Sequence, residues 1–156
     1  MSEENVEVVR RFYPGSVDMV ATVADPETFE AVRVAWEPLV HRDFETVVAG
    51  QVPLAGSAEI PGGSARPVAH GLDGFASAFR DWLSAWESWV VAPPEFIDVD
   101  QNRVLALMEI RGRSKTHQVE MPIEAANLWT LRDRKVARLE LFLDQTEALE
   151  AAGLRE

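Results

Sequence analysis

Apolar side chains recur at helical spacing through the first quarter of the chain. They return every three to four residues from Val6 to Tyr13 and again over residues 17–23, which predicts two short helices. Asp25 and Pro26 then supply an N-cap and a first helical residue whose missing N–H costs nothing. We therefore expect a third helix that begins at Pro26 and ends before Pro38.

A longer helix is predicted over residues 72–89, "LDGFASAFRDWLSAWESW". Its apolar positions form one continuous stripe, made of Leu72, Phe75, Phe79, Trp82 and Trp86. Together with Trp89 this segment carries three tryptophans in eight residues. Large rings at helical spacing pack a core or line the wall of a ligand pocket, and both interpretations stay open. We take Phe79, Trp82 and Trp86 as candidate ligand-binding residues.

The rest of the chain is dominated by β patterns. A first strand is expected at residues 44–50, and four more segments follow, "EFIDVD", "RVLALMEIRGRS", "VEMPIEAANLWTLRD" and "KVARLELFLD". Helices first and long consecutive strands afterwards indicate a single α+β domain over residues 1–156, with a mostly antiparallel sheet packed on helices. Residues 50–69 are rich in glycine and proline and form either a flexible connector or a mobile cover.

Charge and composition exclude several classes of function. Twenty-six acidic against 15 basic residues leave a net charge of −11, which repels phosphate backbones and anionic lipids, so neither nucleic acid nor membrane is expected as a partner. There is no cysteine, so disulfides and thiolate metal sites are excluded. The acidic start "MSEENVEVV" is unlike a secretory signal, and we expect a cytoplasmic protein.

No cofactor or metal is expected either. The glycines at 62–63 lack the lysine and flanks of a phosphate-binding loop, and no dinucleotide fingerprint is present. His41 and Asp43 stand at ligand spacing, but no third ligand accompanies them.

The segments "HGLDGFASAFRDWLSAWESW" and "NLWTLRDRKVARLELFLDQTEALEAAGL" resemble the SnoaL-like branch of the nuclear transport factor 2-like (NTF2-like) superfamily. The resemblance is greatest to uncharacterised actinobacterial members with an "ENVEVVRR" start. It implies a cone, in which a strongly curved, mostly antiparallel sheet wraps around about three to four helices and encloses a deep apolar pocket. It also implies a homodimer through the outer face of the sheet.

The same cone hosts polyketide cyclases, ketosteroid isomerases, dehydratases, epoxide hydrolases and proteins without catalysis, so fold does not imply function. The resemblance therefore implies a protein that binds a small apolar molecule, with isomerase- or cyclase-type proton transfer as the catalytic form. The alternative is a non-catalytic ligand-binding or dimeric interaction protein. One departure from the family is the turn Arg132-Asp133-Arg134-Lys135, where an arginine replaces the usual glycine. The turn must then accept a side chain, and a left-handed backbone conformation at that residue is one outcome.

The resemblance also points to candidate catalytic residues. Asp144 matches the family's carboxylate, whereas the family's histidine falls near Asn127, which can donate a hydrogen bond to a carbonyl or enolate oxygen but cannot transfer a proton. Asp43 lies near the position of the base in the isomerases of this superfamily. Asp144 and Glu147 also fit a helix-capping pattern, so Asp144 acts either in chemistry or as a cap.

Strand alternation leaves two arrangements open around Asp144. Leu139, Leu141 and Leu143 share one face, and the opposite face carries Arg138, Glu140, Phe142 and Asp144. If the leucines face inward, Asp144 points outward. If the other face lines the cone, Glu140 and Asp144 enter the pocket as a carboxylate pair suited to acid–base work. The leucines favour the first arrangement unless a dimer buries the outer face.

Four further residues complete the candidate ligand-binding set, namely Trp129, Glu140, Phe142 and His70. Trp129 shares a strand face with Asn127 among apolar neighbours, so Asn127 needs a partner, either across the strands or on a ligand. His70 stands at the start of the long helix, where a loop or capping contact is expected.

Overall fold

The computed structural model describes residues 2–13, 15–48 and 66–154. Its helices are α1 (Ser2–Arg10), α2 (Met19–Ala24), α3 (Pro26–Trp36), α4 (Gly71–Leu83) and α5 (Gln145–Ala151), with a 3₁₀ turn at Glu37–Leu39. Its strands are β1 (Val17–Asp18), β2 (Val40–Val48), β3 (Arg66–His70), β4 (Trp86–Val91), β5 (Glu95–Asp98), β6 (Arg103–Ser114), β7 (Glu120–Arg132) and β8 (Lys135–Phe142). This is the α+β arrangement that the sequence predicts.

All eight strands belong to one curled sheet in the order β1-β4-β6-β7-β8-β2-β3, with β5 also paired to β6. Neighbouring strands run antiparallel except for β2 and β8, which run parallel. The prediction of a mostly antiparallel sheet is confirmed, and the parallel pair makes the sheet mixed. The strand predicted at residues 44–50 is β2, which begins at Val40, four residues earlier than predicted.

Two carboxylates cap the helices near the amino terminus. Asp25 accepts a hydrogen bond from the Glu27 amide at 3.3 Å and Pro26 opens α3, as predicted. The helix expected over residues 17–23 begins two residues later, because Asp18 caps α2 and accepts from the amides of Val20 and Trp89, each at 3.1 Å. Val17 and Asp18 therefore pair with β4 instead of joining the helix.

The predicted helix over residues 72–89 is wrong beyond Leu83. The chain turns at Ser84, and Trp86 and Trp89 lie on β4, paired with β6. A register shift between Trp86 and Ser88 brings both rings to one side, with centroids 4.7 Å apart. They pack over Gly112, where an added Cβ would lie 2.7 Å from the Trp86 ring. Because Gly112 on β6 has no side chain, β4 can pair with β6 while both rings pack over the glycine. This packing favours the strand although the tryptophans stand at helical spacing.

The sheet separates two apolar clusters. The larger inner cluster lies on the concave side and includes Trp89, Met108 and Leu139. The smaller outer cluster packs beneath α5 and contains Leu105, Ala126, Leu128, Phe142, Ala148 and Ala152. The concave side is therefore the one that can hold a pocket.

Two further expectations concern loops. Asp133 and Arg134 both adopt left-handed backbone angles, with φ of 54° and 65°, so the turn does accept side chains there.

Of the segment 50–69, residues 66–69 belong to β3, which pairs with β2 and is not irregular. Residues 50–65 lie outside the described residues, and so does the choice between connector and cover.

Within the described ranges, no helix is long and apolar enough to cross a membrane.

Candidate functional site

The concave side of the sheet and the helices above it enclose a cavity of about 360 Å³, within the range of ligand pockets. Most of its wall is apolar. The aromatic members of the wall are Phe12, Tyr13, Trp36, Phe75, Phe79, Trp82, Trp89, Trp129 and Phe142. A wall with this many aromatic rings favours a flat, apolar ligand, because stacked and edge-on ring contacts add to the free energy gained from burying apolar surface.

Three residues form a polar triad in this wall, Tyr13, Asn127 and Trp129. The Tyr13 hydroxyl oxygen accepts hydrogen bonds from Asn127 Nδ2 at 2.7 Å and from Trp129 Nε1 at 2.9 Å. Asn127 and Trp129 stand two residues apart on β7 and so share its concave face. Tyr13 arrives from the turn after α1, where its amide donates to the Arg10 carbonyl at 3.0 Å.

The triad leaves one donor unused. Two N–H groups occupy the acceptor positions of the phenol oxygen, so its own hydrogen is the group that remains to be shared. Among the described residues none accepts a hydrogen bond from Tyr13. The hydroxyl can therefore donate to an oxygen of a bound molecule.

The phenol of Tyr13 stays neutral well beyond neutral pH. Burial raises the pKa of Tyr13 above its ordinary value, and the smaller effect of the Asn127 and Trp129 hydrogen bonds opposes this rise. Tyr13 is therefore a hydrogen-bond donor and not a base at physiological pH.

Aromatic contacts hold the triad in place. The Tyr13 ring meets Trp129 edge-on at a centroid distance of 6.1 Å and Phe96 at 5.7 Å. Trp129 in turn stacks on Phe12 at 4.7 Å. A donor fixed in this way needs little rearrangement to meet a ligand.

The described part of the wall contains no aspartate, glutamate, histidine, lysine or arginine. Tyr13 is its one titratable side chain within that set. The wall can donate hydrogen bonds and bury apolar surface, but its described residues offer no carboxylate or imidazole for proton transfer.

The structure distributes the candidates from the sequence between the wall and other places. Phe79, Trp82, Asn127, Trp129 and Phe142 line the cavity, and Phe142 also packs into the outer cluster. Trp86, Glu140, His70, Asp43 and Asp144 do not belong to the described wall. Their roles in binding or catalysis stay predictions.

The leucine face of β8 is the inner one. Leu139, Leu141 and Leu143 line the cavity, whereas Glu140 lies 3.4 Å from Arg138 in an ion pair on the other face. The arrangement with Glu140 and Asp144 inside is therefore wrong, since the apolar side chains take the interior.

Asp144 serves as the N-cap of α5. Its Oδ1 accepts from the Thr146 amide at 2.8 Å and from the Glu147 amide at 3.4 Å. This geometry satisfies two amides at the start of the helix and directs the carboxylate to the helix end. Of the two interpretations of Asp144, the structure contains the cap.

Asp43 and His70 lie at the surface. The Asp43 carboxylate is 3.5 Å from Arg132, and its side chain is 58% exposed. His70 ends β3 directly before α4 and is exposed, and its side chain makes no capping hydrogen bond to the described start of that helix, so of the expected loop or capping contact the capping form is not present. Within the described residues no cluster of potential ligands is suited to a metal ion.

Tyr13 and Thr46 are two polar wall residues that the sequence candidates do not include. The helical spacing predicts only an apolar helix face for Tyr13, although it is the one tyrosine of the chain. Thr46 lies in the wall from β2, is 2% exposed and has no hydrogen-bond partner for its hydroxyl among the described residues. No local signal distinguishes this threonine from others in strands.

No family model and no curated protein matches the chain. Solved structures do resemble it. The structure of TerC co-crystallised with polyporic acid shares 19% identity at a TM-score of 0.62, covering 96% of this chain and 98% of TerC. An NTF2-like protein of unknown function from Burkholderia pseudomallei shares 18% sequence identity at a TM-score of 0.62, and the match covers 94% of this chain and 95% of that protein. A proposed SnoaL-like polyketide cyclase from Jannaschia sp. CCS1 shares 16% sequence identity at a TM-score of 0.57, and the match covers 99% of this chain and 94% of that protein.

At these identities the likeness concerns the fold alone, and the expected actinobacterial subgroup has no support among the neighbours. The curled sheet, the helices on its concave side and these neighbours together show that the chain has the NTF2-like cone fold, with SnoaL-like cyclases among its structural neighbours.

Proposed function

We propose that the chain binds a small, largely apolar molecule in the cavity, with a hydrogen-bond acceptor of that molecule placed against Tyr13. The observation that carries the proposal is the triad, in which two N–H donors occupy the Tyr13 oxygen and leave its hydrogen for a ligand. A carbonyl or ether oxygen is the partner that this donor fits.

The apolar wall supplies most of the affinity in this proposal. Burial of apolar surface contributes roughly 25 cal/mol per Å², and a single hydrogen bond adds about 0.5–1.5 kcal/mol and sets the orientation. The neighbour TerC has been co-crystallised with polyporic acid, so one protein of this fold takes a small organic molecule.

A second candidate is a cyclase- or isomerase-type enzyme in which Tyr13 stabilises negative charge on a carbonyl oxygen. The favouring observation is again the triad, because the two N–H groups strengthen a neutral phenol as a donor. Binding remains the leading function, since the described wall holds no group that takes a proton from carbon.

The test compares para-isopropenylbiphenyl with para-acetylbiphenyl, in which an oxygen replaces the terminal CH2 of that hydrocarbon, by calorimetry and by quenching of tryptophan fluorescence. We expect the ketone to bind about three- to tenfold tighter than the hydrocarbon, as one hydrogen bond implies. Tyr13→Phe keeps the ring and removes the hydroxyl, so it should abolish that advantage. Asp144→Asn is the matched control and should leave both affinities unchanged.

Two results would overturn the proposal. One is that neither compound binds. The other is that Tyr13→Phe retains the full preference for the ketone.

A further inference from the structure

The hydroxyl of Thr46 is a buried polar group on the cavity wall with no described partner. The described wall has three threonines, and the other two are satisfied: Thr22 donates to the Asp18 carbonyl and Thr28 to the Asp25 carboxylate. Thr46 is 2% exposed, and its Oγ1 makes no hydrogen bond to any residue that the structure describes. Native proteins rarely leave a buried hydroxyl in this condition unless it has another purpose.

Sheet register gives the distance between Thr46 and the triad. Thr46 on β2 is paired with Leu139 on β8, and Leu139 is paired with Trp129 on β7. Two interstrand spacings separate Thr46 from Trp129, or roughly 10 Å between backbones. All three side chains line the cavity, so the apolar Leu139 lies between two polar positions.

We infer that Thr46 is a second polar anchor of the same cavity, so that the ligand is an elongated apolar molecule with a polar group at each end. This inference rests on the proposed function and narrows its ligand class. One end accepts from Tyr13, and the other exchanges a hydrogen bond with the Thr46 hydroxyl, which can both donate and accept. A hydroxyketone about two rings long fits this description, whereas a plain hydrocarbon or a molecule polar at one end leaves Thr46 unsatisfied.

The test adds one group to the ketone probe. Para-acetylbiphenyl is compared by calorimetry with its analogue that carries a hydroxyl at the far para position. With the native protein we expect the hydroxylated ketone to bind about three- to tenfold tighter. Thr46→Val has nearly the same shape and should remove this gain without weakening the parent ketone. Thr46→Ser restores a hydroxyl and should recover the gain at least in part.

Folding of Thr46→Val is checked by its thermal midpoint. We expect the midpoint to rise, because a methyl group replaces an unsatisfied hydroxyl. A polar anchor thus predicts a variant that is more stable yet binds the two-ended ligand less well, which a merely structural threonine would not produce.

The outcomes separate the two proposals. If Tyr13→Phe removes the advantage of the ketone but Thr46→Val keeps the gain from the hydroxyl, the second anchor is overturned and the proposed function stands. If neither ketone binds the native protein, or if Tyr13→Phe binds both as tightly as the native protein does, the proposed function is overturned, and this inference with it.

Discussion

Tyr13 is the single tyrosine of the chain, so its ionisation can be followed without interference from another phenol. Its two hydrogen bonds favour the phenolate, yet burial acts more strongly in the other direction. In the folded protein the pKa is raised above the unfolded value of 10.0. The side chain that orients a ligand in our proposal is therefore also a probe of its own environment.

We predict that phenolate absorbance appears near pH 10 only when the protein is unfolded in urea, and at distinctly higher pH in the folded protein. Because the unfolded state releases the proton first, the contribution of Tyr13 to stability is complete below about pH 10 and is lost as the pH rises further. Urea unfolding at about pH 9 and about pH 11 should show this loss in the native protein and a smaller one in Tyr13→Phe. Equal titration of the folded and unfolded protein would contradict a buried phenol.

Asp144 offers a second prediction at the scale of one residue. Its carboxylate accepts from the Thr146 and Glu147 amides, so Asp144→Ala should lower the free energy of unfolding by about 1 kcal/mol. Asn is an equally good cap, so Asp144→Asn should be nearly neutral in urea unfolding. Neither variant should change the affinity for para-acetylbiphenyl. If Asp144→Asn abolished turnover of an identified substrate while the fold stayed intact, the carboxylate would have a chemical role beyond the cap.

Among the secondary-structure elements, β4 shows how a strand can form from residues whose apolar spacing is typical of a helix. Trp86 continues the helical spacing of Trp82, but the register of β4 on β6 places Trp86 and Trp89 over Gly112. Trp82 and Trp89 meet edge-on at 5.4 Å, which joins the end of α4 to the sheet. The glycine is the feature that lets this cluster close.

We predict that Gly112→Ala lowers the free energy of unfolding by about 1–3 kcal/mol, the usual cost of overpacking. The added Cβ would lie 2.7 Å from the Trp86 ring and 3.0 Å from the Trp89 ring, and both rings are held by their neighbours. Arg113 is the next residue on the same strand, and its side chain is half-exposed. Arg113→Ala should therefore change the free energy of unfolding by no more than about 0.5 kcal/mol. Urea unfolding of both variants is the measurement, and equal effects would contradict this account of the cluster.

For the whole molecule, the open question is the homodimer through the sheet. Helix α5 covers part of the outer face, and much of the rest is charged: Arg138 lies 3.3 Å from Glu45 and 3.4 Å from Glu140. A dimer on this face would be polar and sensitive to these ion pairs. It stays a prediction that sedimentation equilibrium can test.

The prediction is a mass twice the 17.4 kDa of one chain. Arg138→Glu would gather three carboxylates on the outer face and should weaken the dimer, because like charges repel across a desolvating interface. Lys115→Glu makes the same change in net charge at the exposed turn after β6 and should not. A mass of one chain for the native protein would show that the outer face is not a dimer interface under those conditions.

The features of the protein that the sequence alone determined are those that depend on residues close together in the chain. Asp25 with Pro26 and Asp144 with Glu147 each mark a helix start within four residues, and both helices begin there. Alternation predicted the long strands, and β6 occupies the predicted residues. Together these local signals define the α+β class, because caps and alternating burial act within one element.

Tertiary structure alone decided which side chains form the cavity. Tyr13, Thr46 and Trp129 come from three distant segments, and they line one cavity because β2, β8 and β7 are neighbours in the sheet and α1 ends above it. The inward face of β8 and the conversion of Trp86 to a strand residue were decided in the same way. Burial and strand register depend on contacts between residues far apart in sequence, and a periodic pattern carries no record of which strand lies beside which.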